Sequence, residues 1–228
     1  MTAVPNTRAA LARYIDHTLL KPEATAAQID RLCDECLEHN FAAACVNLTW
    51  VAQCAARLVD SETDVASVVG FPLGATTTAV KVYEAQAAIE HGAREIDMVV
   101  SLGALLDGDR VAVTRDIAGV VEATRKARSD ALVKVILETR ALTDEQIAIG
   151  CQCCVEAQAD YVKTSTGFHP NGGATVEHVV LLKQHARPLR VKAAGGIRDL
   201  PTALAMIGAG ADRLGMSAGV AVMQAMMT

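Results

Sequence analysis

Eight short runs of apolar and β-branched residues recur along the chain, and segments of helical periodicity lie between them. The runs are Ile15–Leu19, Ala43–Asn47, Val65–Gly70, Glu95–Val100, Leu132–Glu138, Tyr161–Thr166, Arg190–Ala194 and Ala211–Met216. Strands joined through helices lie parallel, because each helix carries the chain back across the sheet. Eight such units predict one α/β domain over residues 1–228, a (β/α)8 TIM barrel with a short N-terminal helix. The alternative is an open doubly wound sheet. Its dinucleotide-binding form needs a strand leading into a GxGxxG turn, and Gly70-Phe71-Pro72-Leu73-Gly74 has the wrong spacing. Helix boundaries are marked too. Thr25 stands three residues before Gln28, Thr143 precedes Asp144-Glu145, Pro201 follows Asp199-Leu200, and His91-Gly92 closes the helix over Glu84–Ile89.

Composition narrows the function. The chain is 51% hydrophobic but only 3% aromatic, so Ala, Val, Leu and Ile must build the core. A net charge of -5 with no Lys/Arg run argues against a nucleic-acid partner. No apolar stretch is long enough to span a membrane, and Met1-Thr2-Ala3-Val4-Pro5 does not open a secretory signal, so a soluble cytoplasmic protein is expected. The seven cysteines read as free thiols. Cys33 and Cys36, like Cys151, Cys153 and Cys154, fall inside helical patterns without a second ligand pair, and the six histidines are scattered. No metal is expected. Ala-rich helices leave room for a homo-oligomer.

The chemistry is carried by ionisable residues inside predicted strands. Lys163 follows Tyr161-Val162 and precedes Thr164-Ser165-Thr166-Gly167, while Lys192 sits in Val191-Lys192-Ala193-Ala194-Gly195-Gly196. Asp16, Asp97 and Lys134 occupy comparable positions. Near strand C-termini of a barrel, all five can converge on one axial cavity. A lysine with an ordinary pKa is a free amine in roughly one molecule in 2,500 at pH 7. Burial and a neighbouring cation both lower that pKa, and a fall to about 7 raises the free amine about a thousandfold. Lys163 is expected as the nucleophile, Lys192 as the cation that depresses it, and Asp97 as a proton shuttle. Cys45, at the end of its strand, is a candidate for attack by aldehyde or oxidant. Glycines follow the last three strands: Thr166-Gly167, Gly195-Gly196 and Gly215-Met216-Ser217. They suit a phosphate pocket of backbone N–H groups, with Ser217 donating its hydroxyl at a helix start. These residues alone also suit a sugar-phosphate isomerase, a silent phosphometabolite-binding barrel or a metal-dependent aldolase.

Blocks spread from end to end resemble the deoxyribose-phosphate aldolases. They include Asp16-His17-Thr18-Leu19-Leu20-Lys21-Pro22, Val69-Gly70-Phe71-Pro72-Leu73-Gly74, Glu95-Ile96-Asp97-Met98-Val99, Lys134-Val135-Ile136-Leu137-Glu138-Thr139 and the two lysine segments. The resemblance implies a class I aldolase on a (β/α)8 barrel. Such an enzyme reversibly cleaves 2-deoxy-D-ribose 5-phosphate to acetaldehyde and D-glyceraldehyde 3-phosphate, without a cofactor. Lys163 then matches the Schiff-base lysine, and Lys192 and Asp97 match its proton-relay partners. Thr166, Gly167, Gly195, Gly196, Gly215 and Ser217 form the expected phosphate pocket, supported by Asp16, Thr18, Cys45 and Lys134. The chain departs from the family at Leu48, often proline, and at Ala218, usually a second serine. It also ends at Ala225-Met226-Met227-Thr228, without the tyrosine-bearing tail of some members.

Overall fold

Eight parallel strands close on one another in chain order, β1 pairing with both β2 and β8. They are β1 Ile15–Leu19, β2 Ala43–Val46, β3 Asp64–Val69, β4 Glu95–Val99, β5 Leu132–Ile136, β6 Tyr161–Lys163, β7 Arg190–Ala194 and β8 Arg213–Met216. The helices are α1 Arg8–Ala12, α2 Ala26–His39, α3 Val51–Arg57, α4 Thr78–Glu90 and α5 Leu102–Leu106. After them come α6 Arg110–Ala127, α7 Asp144–Glu156, α8 Val176–His185, α9 Leu200–Gly208 and α10 Gly219–Ala225. This computed structural model describes residues 4–226; Met1–Ala3, Met227 and Thr228 lie outside it. The expectations placed on the first three residues and on the last two therefore fall outside the described residues.

Local chemistry sets the helix boundaries. Thr25 with Gln28, and Thr143 with Gln146, form reciprocal capping boxes that satisfy otherwise orphaned N–H groups. Asp144 and Glu145 place negative charge in the first turn of α7, where it complements the helix dipole. Asp199 caps α9 by accepting the Thr202 N–H at 2.8 Å, with Pro201 in the first turn. Cys151, Cys153 and Cys154 lie on the buried face of α7, and all seven cysteines are buried and unpaired. Among the described residues no helix is long and apolar enough to cross a membrane.

Several strands are shorter than expected for a common reason: side chains or turns take over from the ladder. β6 stops at Lys163, after which the Thr164 hydroxyl accepts the Ala194 N–H at 3.0 Å and donates to the Ala194 carbonyl at 3.2 Å. β8 begins two residues late, because the Asp212 carboxylate accepts the Val191 N–H at 2.8 Å and Lys183 at 2.7 Å. Gly70 turns out of β3 at φ +61°, and Asn47 leaves β2 to open a short 3-10 turn. Glu138 leaves β5 in a left-handed conformation at φ +59°.

The main hydrophobic core lies between the strands and the helix ring. The inside of the barrel is divided. On the β2–β3 side it is small and apolar, with Ala43, Cys45, Ala66 and Val68 beneath Leu20 and Phe71. On the other side, buried charged side chains project from β1, β4, β5, β6 and β7, and the largely covered Arg213 from β8.

Candidate active site

Alternation along the strands aims the charged residues inward. Asp97 is cross-strand partner to Lys134, and Lys163 to Lys192, while Lys163 stands two residues further along its strand than the partner of Lys134, so Asp97 is what joins the lysines of three neighbouring strands. One oxygen of Asp97 accepts from Lys163 Nζ and from Lys192 Nζ, each at 2.7 Å. The two nitrogens therefore lie within twice that distance of each other. The second Asp97 oxygen accepts from Lys134 Nζ at 3.1 Å. Asp16 holds Lys192 at 2.5 Å and receives the guanidinium of Arg213 at 2.7 Å. Glu95 closes the cluster by binding Lys134 and, at 3.1 Å, Arg213.

The cluster holds four basic side chains and three carboxylates. A buried network is costly unless its charges balance. With Lys163 neutral, Lys134, Lys192 and Arg213 balance Asp16, Glu95 and Asp97. The titration directions agree. Lys163 is lowered, first by burial and then by the Lys192 charge, while Asp97 opposes both. Burial also pulls on Lys192, but Asp16 and Asp97 outweigh it and keep this lysine charged. Burial pushes Asp97 up, and Lys134, Lys163 and Lys192 together hold it well below the usual carboxylate range. Lys134 is raised in the same way: burial is outweighed by Asp97, Glu95 and Asp16. Lys163 thus sits beside a fixed cation and a fixed anion, which suits a nucleophilic amine with its proton relay.

The amine opens into a cavity of about 330 Å³ at the C-terminal mouth of the barrel. Thr18, Lys163, Thr166, Gly167, Gly195, Gly196, Gly215 and Ser217 all line it, so every expected anion-side residue shares one space with Lys163. Lys21 and Arg198 add cations to its wall. The loops after β6 and β7 approach backbone to backbone: a Cβ on Gly195, at φ +88°, would meet Gly173 Cα at 2.9 Å and Gly167 Cα at 3.2 Å. Gly215 leaves room for the lysine, since a Cβ there would lie 3.1 Å from Lys192 Cε.

Ser217 lines the cavity just ahead of α10, which begins at Gly219 with Ala218 at its cap position. Two expectations change. Thr166 lines the cavity, but its N–H and hydroxyl are both donated to Glu138. Cys45 is 1% exposed, and burial pushes its thiol up, against the thiolate that attack on an aldehyde requires. Thr18 donates its hydroxyl to the Asp16 carbonyl at 2.8 Å, fixing the turn into the Leu19–Lys21 wall. Sequence reasoning missed Glu95, Arg213 and Glu138. The first two were within reach of period-two alternation, because Glu95 is two residues before Asp97 and Arg213 two before Gly215. Among the described residues no group of three or more His, Cys, Asp or Glu side chains is arranged to hold a metal ion.

A family model described as DeoC/LacD family aldolase matches residues 10–225. A deoxyribose-phosphate aldolase of Brevibacillus brevis is 52% identical over 211 residues, 92% of this chain and 93% of that protein. One of Streptococcus gordonii is 53% identical over 215 residues, covering 94% and 96%. Among solved structures, the tetrameric deoxyribose phosphate aldolase of Aeropyrum pernix superposes with a TM-score of 0.89 at 35% identity, covering 96% of this chain and 91% of that one.

Proposed function

The chain belongs to the DeoC/LacD family of aldolases, and on that footing we propose that it reversibly cleaves 2-deoxy-D-ribose 5-phosphate to acetaldehyde and D-glyceraldehyde 3-phosphate. The observation that carries the reading is a buried amine, hydrogen-bonded to Asp97 and lowered in basicity by burial, that lines one cavity with Gly167, Gly195, Gly196, Gly215, Lys21 and Arg198.

In this mechanism the free amine of Lys163 adds to the C1 aldehyde of the open-chain sugar. Lys192, held as an ammonium, donates a proton to the carbinolamine oxygen, and water leaves to give a protonated imine. The imine withdraws electrons, so loss of the C3 hydroxyl proton breaks the C2–C3 bond and releases glyceraldehyde 3-phosphate. The electron pair remains as an enamine of acetaldehyde on Lys163. Protonation of its terminal carbon, followed by hydrolysis, returns the amine. Asp97 sits between both lysines and relays these protons with Lys192. The lysine imine is the electron sink, and the chemistry needs no cofactor.

Gly167, Gly195, Gly196, Gly215 and Ser217 receive the phosphate, at the end of the substrate remote from the breaking bond. Binding energy there orients C1 toward Lys163. A charge-assisted hydrogen bond contributes about 1.5–3 kcal/mol, so loss of the phosphate contacts is expected to lower kcat/KM for unphosphorylated 2-deoxyribose by about a hundredfold or more. Steady-state assays on both sugars test this; equal efficiency contradicts the assigned pocket. An isomerase would rearrange the sugar phosphate without releasing acetaldehyde, which the same assays detect.

All seven cysteines are free and buried, which suits a reducing compartment, and the cytoplasm is the proposed location. A homo-oligomer is proposed from the tetrameric Aeropyrum pernix relative.

A further inference from the structure

Glu138 combines two costly features. It is a non-glycine residue in the left-handed region, at φ +59°, and its side chain is only 3% exposed. Strain and buried charge of this kind persist only where the surroundings hold them in place. Here the compensation is concentrated on one residue. The Thr166 N–H donates to both carboxylate oxygens at 3.3 Å, and the Thr166 hydroxyl donates to one of them at 2.5 Å. The hydroxyl oxygen in turn accepts the Phe168 N–H at 3.1 Å. One carboxylate therefore organises Thr166, Gly167 and Phe168, three successive residues of the cavity wall.

Glu138 does not itself line that cavity. It faces a second space of about 270 Å³ behind Thr166 and Phe168, both of which line the two spaces. Its negative charge thus stands behind the wall rather than before it. The neighbouring backbone is tied to the same strand: Leu137 donates to the Lys163 carbonyl at 3.0 Å and Thr139 to the Thr164 carbonyl at 2.9 Å. The turn at Glu138 is held in register with the segment that begins at the nucleophile.

We propose that Glu138 is a positioning residue for the anion-side wall. By engaging both donors of Thr166 it fixes the Thr166–Phe168 loop in the conformation that receives the phosphate end of the substrate. This rests on the sugar-phosphate aldolase reading. It predicts that Glu138 affects recognition of the phosphorylated sugar and leaves imine chemistry at Lys163 untouched.

The test compares Glu138→Ala and Glu138→Gln with the unaltered protein on 2-deoxyribose 5-phosphate and on 2-deoxyribose. Glu138→Ala is expected to raise KM for the phosphate about tenfold or more, with kcat and the efficiency on the unphosphorylated sugar within about threefold. Glu138→Gln, whose amide oxygen still accepts from Thr166, should recover most of that KM. Thr166→Val, which removes the hydroxyl that donates to Glu138 and accepts the Phe168 N–H, should also raise KM for the phosphate, and it serves if Glu138→Ala does not fold. A parallel loss on both sugars, no recovery with glutamine, or an unchanged KM overturns the proposal. Borohydride trapping of acetaldehyde is run on every variant. If the unaltered protein forms no adduct, the aldolase reading fails; if the adduct forms and the KM pattern is absent, only the role of Glu138 fails.

Discussion

Lys163 and Lys192 have the same side chain, are both removed from water and touch the same oxygen of Asp97, yet they titrate in opposite directions. The difference is a second carboxylate. Burial is the largest influence on each lysine, and it prevails at Lys163, where Asp97 is the one carboxylate that opposes it. At Lys192 the combined pull of Asp16 at 2.5 Å and Asp97 at 2.7 Å wins. The cation that sequence reasoning placed beside Lys163 is present, but it ranks behind burial as a cause. Lys192→Met removes that cation, so the Lys163 amine becomes harder to deprotonate. The acid limb of the pH profile of kcat/KM should move to higher pH. The rate at its plateau should fall by about 10²–10⁴, the usual contribution of a positioned proton donor. A profile that falls in height without moving along the pH axis would remove Lys192 from the control of the nucleophile.

At the level of elements, the helices were readable from the chain because their ends are local chemistry. Thr143, Gln146 and the acidic first turn of α7 specify its start within four residues. Thr143→Ala removes one half of that capping box and should cost about 0.5–2 kcal/mol in urea unfolding, with kcat/KM unchanged because Thr143 lines no part of the mouth cavity. A loss of activity without a loss of stability would contradict this separation. Strand ends were less legible. β6 and β8 are shorter than their apolar runs because Thr164 and Asp212 satisfy backbone groups with side chains, and nothing in the run distinguishes those hydrogen bonds from a ladder. The same limit hid Glu138. Its role depends on a turn that brings it against Thr166, twenty-eight residues along the chain, and not on any spacing within its own strand.

Across the whole molecule, the barrel gathers Asp16, Glu95, Asp97, Lys134, Lys163, Lys192 and Arg213 from six strands into one buried cluster. Five of the seven were legible because a charged residue stands out in an apolar run. Their balance was not, since it depends on register around a closed sheet. The balance has a consequence for stability. Lys134 is raised, so its contribution is present below the ordinary lysine pKa of about 10.4 and is lost only as pH rises through its folded value. Lys134→Met leaves Asp97 and Glu95 short of a partner and should cost about 3–5 kcal/mol. Lys163 is lowered, so charging it opposes folding at pH values below its folded pKa. Lys163→Met should therefore be neutral or stabilising near pH 6, with any gain shrinking as pH rises toward about 10. Thermal unfolding of the two variants at several pH values separates them, and equal losses would contradict the assigned charge states. The most direct test is chemical: incubation with acetaldehyde, reduction with borohydride and mass mapping of the modified peptide. An N-ethyl group on Lys163 alone, absent from Lys163→Met, is the predicted result; modification centred on Lys192 or Lys134, or none at all, would contradict the account.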